Sequence, residues 1–218
     1  MTLTPLGDQA ILAAMPDEAA AVKLTAAVRS AKPDWLKDVV PAYATVGVFF
    51  DADRVDSVTV TAWLQSLPKG AAAASGSSGK SVVIPVCYKM GPDLARVAEL
   101  TGRSPEDVIA LHSGQEYTVY AIGFVPGFPY LGYLPKELAG VPRLESPRVR
   151  VEPGSVGLTG RQTGIYPLSR PGGWNLIGRT PLTIVDIEAG YFPLRVGDKV
   201  RFERIDSAHF AHLYGKRI

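Results

Sequence analysis

Through the first eighty residues, runs of alternating apolar positions trade places with runs at helical spacing. Residues 8–15 read as a strand, and DEAAAVKLTAAVRS at 17–30 as an alanine-rich helix with acidic residues at its start and Arg29 at its end. VVPAYATVGVFFD at 39–51 reads as a second strand region. In VDSVTVTAWLQSLP at 55–68, Val55, Val58, Ala62 and Leu67 recur at roughly helical spacing, and Pro68 ends the helix. The order β-α-β-α predicts a small mixed domain. KGAAAASGSSGK at 69–80 is a flexible linker by composition, so the first domain spans 1–80.

The pattern then changes. SVVIPVCY at 81–88 is strand-like, and two short helices follow it. GPDLARVAELTG at 91–102 has Pro92 at its start and Gly102 just past its end, while SPEDVIALHSG at 104–114 opens with Ser104, Pro105 and Asp107 in a capping arrangement. From YTVYAIGF at 117–124 onward no long helical period returns. Short apolar runs cut by Gly and Pro predict many short strands, and strands in that number need their edges covered by a closed or nearly closed sheet. The fold class is therefore α+β, with the second domain at 81–218.

GFVPGFPYLGYLP at 123–135 concentrates four aromatic rings among glycines and prolines and carries no charge. So punctuated a stretch is tightly turned chain. Phe124 is expected to be buried as the last residue of its strand, and Phe128 with Tyr130 to line a groove wall or a partner surface.

With 23 basic and 21 acidic side chains the chain is too evenly charged to hold nucleic acid by phosphate neutralisation. The start MTLTPLGDQAILAAM lacks the features of a secretory signal, and no stretch reaches about 18 uninterrupted apolar residues, so a cytoplasmic location is expected. The lone Cys87 lies in an apolar strand, where packing is the ordinary role. ASGSSGKS at 74–81 fits a relaxed phosphate-loop pattern, but it follows a helix and precedes a strand, the reverse of what phosphate cradling needs.

Hydrolytic machinery is scarce. No serine sits in a G-x-S-x-G elbow. His112 near a helix end reads as charged or capping, and His209 and His212 could share a metal but have no further ligand nearby in sequence, so no metal and no catalytic residue is assigned. Cations are more telling. Between Arg143 and Arg179 lie six arginines (143, 148, 150, 161, 170, 179), no lysine or aspartate, and two glutamates. Guanidinium forks suit carboxylate or phosphate, and Arg148 and Arg150, two apart on one probable strand, should share a face. Gln162, Thr163 and Tyr166 in GRQTGIYP are uncharged donors and acceptors on turned chain that could hold a polar ligand group or shape a barrel corner; Trp174 follows Pro171-Gly172-Gly173 and packs under the barrel or at an interface. The candidate groove for substrate or partner is thus Phe128, Tyr130, Arg148, Arg150, Gln162, Thr163, Tyr166 and Trp174.

VYAIGFVPGFPYLGYLP, VEPGSVGLTGRQTGIYPLSRPGGWNLIGRTPL and the opening PLGDQAIL resemble the family of 5-oxoprolinase B subunits, also called KipI or allophanate hydrolase subunit 1. The resemblance runs from about Pro5 to Ile205. It implies a small ferredoxin-like α/β domain followed by a cyclophilin-like β-barrel. It also implies a subunit, inactive or weakly active alone, that works with the A and C subunits of 5-oxoprolinase and with ATP and Mg2+ to open 5-oxoproline to L-glutamate. The KipI relatives imply a binding module that inhibits a histidine kinase as the alternative, and allophanate hydrolase subunit 1 as a weaker one. Asn175 stands where the family often has His after GGW.

Overall fold

A computed structural model describes residues 1–67 and 79–218, and the chain divides into two compact units, Met1–Ser78 and Gly79–Ile218. Pro68, most of the linker expected at 69–80 and most of the phosphate-loop-like stretch lie outside the described residues.

The first unit runs β1 (Thr2–Pro5), β2 (Ala10–Ala14), α1 (Glu18–Ala31), β3 (Leu36–Ala42), β4 (Thr45–Phe50) and α2 (Ser57–Ser66). This corrects the β-α-β-α reading in two places. Thr2–Pro5 forms an extra edge strand, and the region 39–51 is a hairpin folded back at Tyr43, whose φ of 52° is left-handed without any glycine to announce it. The sheet order is β1-β2-β4-β3, antiparallel throughout. That is the ferredoxin-like order, with the strand nearest the amino terminus filling the edge that the last strand of such a fold usually fills. Both helices are capped by aspartate: Asp17 accepts from the Ala20 N–H and Asp56 from the Thr59 N–H. Their apolar faces meet Ile11, Val46, Val48 and Phe50 of the sheet in one core.

The second unit runs β5 (Ser81–Val86), α3 (Leu94–Thr101), α4 (Pro105–Ser113), β6 (Glu116–Ile122), β7 (Pro129–Gly132), β8 (Arg148–Val151), β9 (Ser155–Thr159), β10 (Gln162–Ile165), β11 (Arg170–Gly172), β12 (Asn175–Arg179), β13 (Lys199–Arg204) and α5 (Ser207–Leu213). Seven strands form one sheet in the order β12-β9-β10-β7-β6-β13-β5. Cys87, just beyond β5, exchanges both backbone hydrogen bonds with Arg179 at the end of β12, which ties the two edge strands together and all but closes the barrel. Among the named strands of the described residues only β13 and β5 pair in parallel; β8 and β11 form a separate two-stranded ribbon.

Alternation decides what faces inward. Val82, Ile84 and Val86 of β5 and Tyr117 and Val119 of β6 enter a core that also takes Val97 of α3 and Val108 of α4. Helix α4 carries the expected capping box of Ser104 and Asp107 with Pro105 in its first turn, and α3 ends on Gly102 in the left-handed region. Among the described residues no helix is long and apolar enough to cross a membrane.

Candidate functional site

Outside the barrel, Phe128, Val151, Tyr166, Trp174 and Leu176 form a separate core with Val125 and Tyr130 packed against it. The loop after β6 builds it. Gly123 N–H donates to the Phe128 carbonyl at 3.2 Å and Phe128 N–H to the Val125 carbonyl at 3.1 Å, and this tight turn forces Phe124 to a φ of 63°. Phe124 is therefore not the buried end of a strand: β6 stops at Ile122, and the Phe124 side chain is 60% exposed. A bulky residue held in the left-handed region costs about 1–2 kcal/mol, a strain that tends to persist at functional loops.

Phe128, by contrast, is buried and meets the edges or faces of four other rings: Phe124 at 5.6 Å, Tyr130 at 4.9 Å, Tyr166 at 5.2 Å and Trp174 at 5.4 Å. Glycines make room for the cluster. A Cβ on Gly164 would lie 2.9 Å from the Phe128 ring, and one on Gly172 would lie 2.5 Å from the Tyr166 hydroxyl.

Above the rings opens a cleft of about 280 Å³ whose wall includes Phe124, Tyr130, Tyr166 and Trp174, the backbone of Gly172 and Gly173, and the side chain of Arg143. Burial pushes the Tyr130 and Tyr166 hydroxyls above the ordinary phenol range, with Arg143 pulling weakly the other way on both, so both stay protonated donors at neutral pH. Arg143 is exposed, and it pairs with no acid and makes no hydrogen bond among the described residues. The cleft thus offers an aromatic surface, two phenolic donors and an uncommitted guanidinium. Its wall carries no imidazole or carboxylate, so it can bind and orient an anionic ring but supplies no general base.

The structure brings together Phe128, Tyr130, Tyr166 and Trp174 of the groove expected from sequence and separates the rest. Arg148 is committed elsewhere: its Nη2 lies 2.6 Å from Oδ1 of buried Asp93, whose Oδ2 accepts the Leu176 N–H at 2.7 Å. Arg150, although two residues along the same strand, pairs at 2.8 Å with exposed Glu152. Gln162 stands at the start of β10 opposite Gly132, outside the cleft wall. Thr163 is corrected outright. It points into the barrel, because neighbours on a strand face opposite sides, and its hydroxyl donates to the Gly157 carbonyl at 3.0 Å. Asn175 is buried and structural, donating to the Pro142 and Leu158 carbonyls and accepting from Arg96.

His112 overturns its reading as a charged or capping residue. It is fully buried, stacked on Phe202 at 4.6 Å, with Nδ1 2.7 Å from the Tyr88 hydroxyl and Nε2 2.9 Å from the Thr163 hydroxyl. Since Thr163 donates to Gly157, it accepts from Nε2–H, and Tyr88 donates to Nδ1; the ring is neutral, and burial pushes its pKa down to about 3. Among the described residues no group of three His, Cys, Asp or Glu is placed to hold a metal: His209 bonds Asp206, and His212 neighbours Lys216.

This architecture has relatives. A carboxyltransferase domain model, subdomain C and D, matches residues 1–192. A Bacillus subtilis (strain 168) protein, named as the B subunit of 5-oxoprolinase, is 40% identical over 198 residues, 81% of this chain and 78% of the relative. The chain belongs to the family of 5-oxoprolinase B subunits. A crystal structure of TTHA0988, at 37% identity and a TM-score of 0.79, matches 92% of this member of the family but only 40% of its own length, so this chain spans less than half of that protein. The Kluyveromyces lactis urea carboxylase, at 15% identity, a TM-score of 0.74, and covering 97% of this chain and 22% of its own, shares the fold. The family pattern accounts for the two-unit α+β architecture, with its ferredoxin-like first unit and cyclophilin-like barrel. Arg143 was counted among six arginines by sequence, and only its lack of a partner in space sets it apart.

Proposed function

We propose that this chain is the B subunit of an ATP-dependent 5-oxoprolinase, which opens 5-oxoproline to L-glutamate together with its A and C subunits, and that the aromatic cleft is where the chain meets the substrate. The observation that carries the reading is the uncommitted Arg143 at an uncharged aromatic cleft of about 280 Å³. A five-membered lactam is a flat ring with one carboxylate; rings suit the former and a guanidinium the latter. The Tyr130 and Tyr166 hydroxyls would donate to the ring carbonyl or the carboxylate, which fixes the face of the lactam presented to the rest of the enzyme.

ATP with Mg2+ belongs to the complex rather than to this chain. Of the phosphate-loop-like stretch, Lys80 donates its N–H to Asp198 Oδ1, and Ser81 opens strand β5 instead of a helix, so the residues present do not fit a phosphate cradle. Activation of the lactam oxygen by the ATP γ-phosphoryl group is what the cofactor would supply. The cleft's lack of a base also suits a pure binding module of the kinase-inhibitor kind.

The experiment that separates the two readings is reconstitution. Purified chain is mixed with the A and C subunits, ATP, Mg2+ and 5-oxoproline, and glutamate is assayed. Glutamate no higher than in the mixture lacking this chain removes the enzyme reading and leaves the kinase-inhibitor one. Losing a charge-assisted hydrogen bond is worth about 1.5–3 kcal/mol, so Arg143→Ala should raise KM for 5-oxoproline roughly 10- to 100-fold, with Arg143→Lys between. An unchanged KM in Arg143→Ala would take the substrate out of this cleft.

A further inference from the structure

The β8–β11 ribbon stands apart from the barrel sheet, and each of its strands pairs only with the other. Val149, between Arg148 and Arg150, is 88% exposed, more than any other large hydrophobic side chain among the described residues. Beside it, Pro171 and Gly172 of β11 form one wall of the aromatic cleft, and the 60% exposed Phe124 stands on that same cleft. Apolar side chains held this far out into water on ordered elements mark a surface that another molecule covers.

The charge of the face says what kind of molecule. Arg148 and Arg150 are answered by Asp93 and Glu152, whereas Arg143 on the cleft wall and Arg170 on β11 have no acidic partner among the described residues. The Arg170 guanidinium donates only to the Ser169 carbonyl. Arg143 lines the cleft together with Pro171, and Arg170 precedes Pro171 on β11, the strand paired with the one that carries Val149. Nucleic acid would use the cations and leave Val149 and Phe124 without a role, and the chain as a whole carries only +2.

Resting on the proposed function, we infer that the ribbon and the adjoining cleft rim are the docking surface for a partner subunit that presents a carboxylate beside an apolar side chain. The apolar contact would seat on Val149 and Phe124 and the carboxylate on Arg170, which leaves Arg143 in the cleft to the substrate. Such docking would also roof the cleft, so that substrate is enclosed only in the assembled enzyme.

The test uses the full chain and variants Val149→Asp and Arg170→Glu, both altered on exposed side chains. Binding to the purified A and C subunits is measured separately by calorimetry at two salt concentrations, alongside the glutamate yield of the reconstituted mixture and thermal melting of each variant. We expect each substitution to weaken binding to one of the two subunits at least 10-fold with the melting temperature unchanged, and the wild-type affinity to fall with salt. Wild-type affinity in both variants, with full glutamate yield, overturns the docking surface and leaves the functional reading standing. No complex and no glutamate with the wild-type chain overturns both. Two other results also refute the partner assignment: a wild-type self-dimer that Val149→Asp dissociates, and equally salt-sensitive binding of a short DNA duplex that Arg170→Glu abolishes.

Discussion

The buried imidazole of His112 makes acid stability the sharpest test of the fold. Its pKa is pushed down to about 3 in the folded protein, against an ordinary value of 6.5, because a charged ring would lie in the core between Tyr88, Thr163 and Phe202. The unfolded chain therefore binds a proton that the folded chain refuses. Stability associated with this group is full above pH 6.5 and is lost as pH falls toward 3, at about 1.4 kcal/mol per pH unit. Between pH 7.5 and 4.5 the loss is roughly 2.5 kcal/mol, a large share of the ~5–15 kcal/mol that holds an ordinary domain. Carboxylates held low by hydrogen bonds, such as Asp107 and Asp206, add a loss of the same sign only below about pH 5, so the window from 6.5 to 5.5 isolates histidine. The assay is urea unfolding of a Trp35→Phe/Trp63→Phe background, in which Trp174 alone reports on the barrel. His112→Phe keeps a flat ring against Phe202 but leaves the Tyr88 hydroxyl without its acceptor, so it should be about 1–3 kcal/mol less stable at pH 7.5 and should close that gap as pH falls. Parallel stability curves for the two proteins from pH 7.5 to 5.5, or an NMR titration of His112 near 6.5, would refute the reasoning.

Asp93→Asn should cost about 2–3 kcal/mol in urea unfolding, since the amide keeps only one acceptor oxygen for the two donors, Arg148 and the Leu176 N–H, and carries no charge; a cycle with Arg148→Met should recover part of that loss, and strict additivity would show that the pair is not coupled. Gly91→Ala should cost about 3 kcal/mol or more, because its Cβ would fall on the Ile177 backbone carbonyl where β12 passes the turn after β5; a variant within 0.5 kcal/mol of wild type, roughly the neutral range, contradicts that packing. At Phe124 the usual ranking should invert: Phe124→Gly should be about 1 kcal/mol more stable than Phe124→Ala, because only glycine adopts a φ of 63° without strain, and equal stabilities would mean that the loop relaxes.

Much of the fold was legible because its signals are local. The Ser104–Asp107 capping box, Gly102 past the end of α3, and the alternation of Val82, Ile84 and Val86 each depend on neighbours a few residues away. The hairpin at Tyr43 and the exposure of Phe124 escape the sequence for one shared reason. Both are aromatic residues in the left-handed region, at φ 52° and 63°, where sequence rules expect glycine or asparagine; packing elsewhere in the fold imposes the conformation. His112 was misread because its sequence neighbours say where the helix ends but not which face of α4 meets the barrel.

The candidate site divides along the same line. That Phe128, Tyr130, Tyr166 and Trp174 act together could be read from their density among glycines, since rings on turned chain must be held by one another. Strand parity alone excluded placing both Gln162 and Thr163 on one groove, and the structure turns Thr163 inward to His112. Parity put Arg148 and Arg150 on one face, but the register of β8 against β11 shifts between Arg148 and Val151, and the two arginines end on different partners, buried Asp93 and exposed Glu152. Arg161, Arg170 and Arg179 also lack an acid, but each meets a ring face or a carbonyl; Arg143 alone of the six has no acid, acceptor or ring contact among the described residues, and such an absence exists only once its neighbours have places in space. An arginine-rich segment therefore names candidates for holding an anion, while which of them is free to do so belongs to the tertiary structure. For the proposed docking surface the same reasoning makes Arg170 and Val149 the residues to perturb first: both are exposed, and Arg170 bonds only the neighbouring Ser169 carbonyl, so their substitution tests the partner and spares the fold.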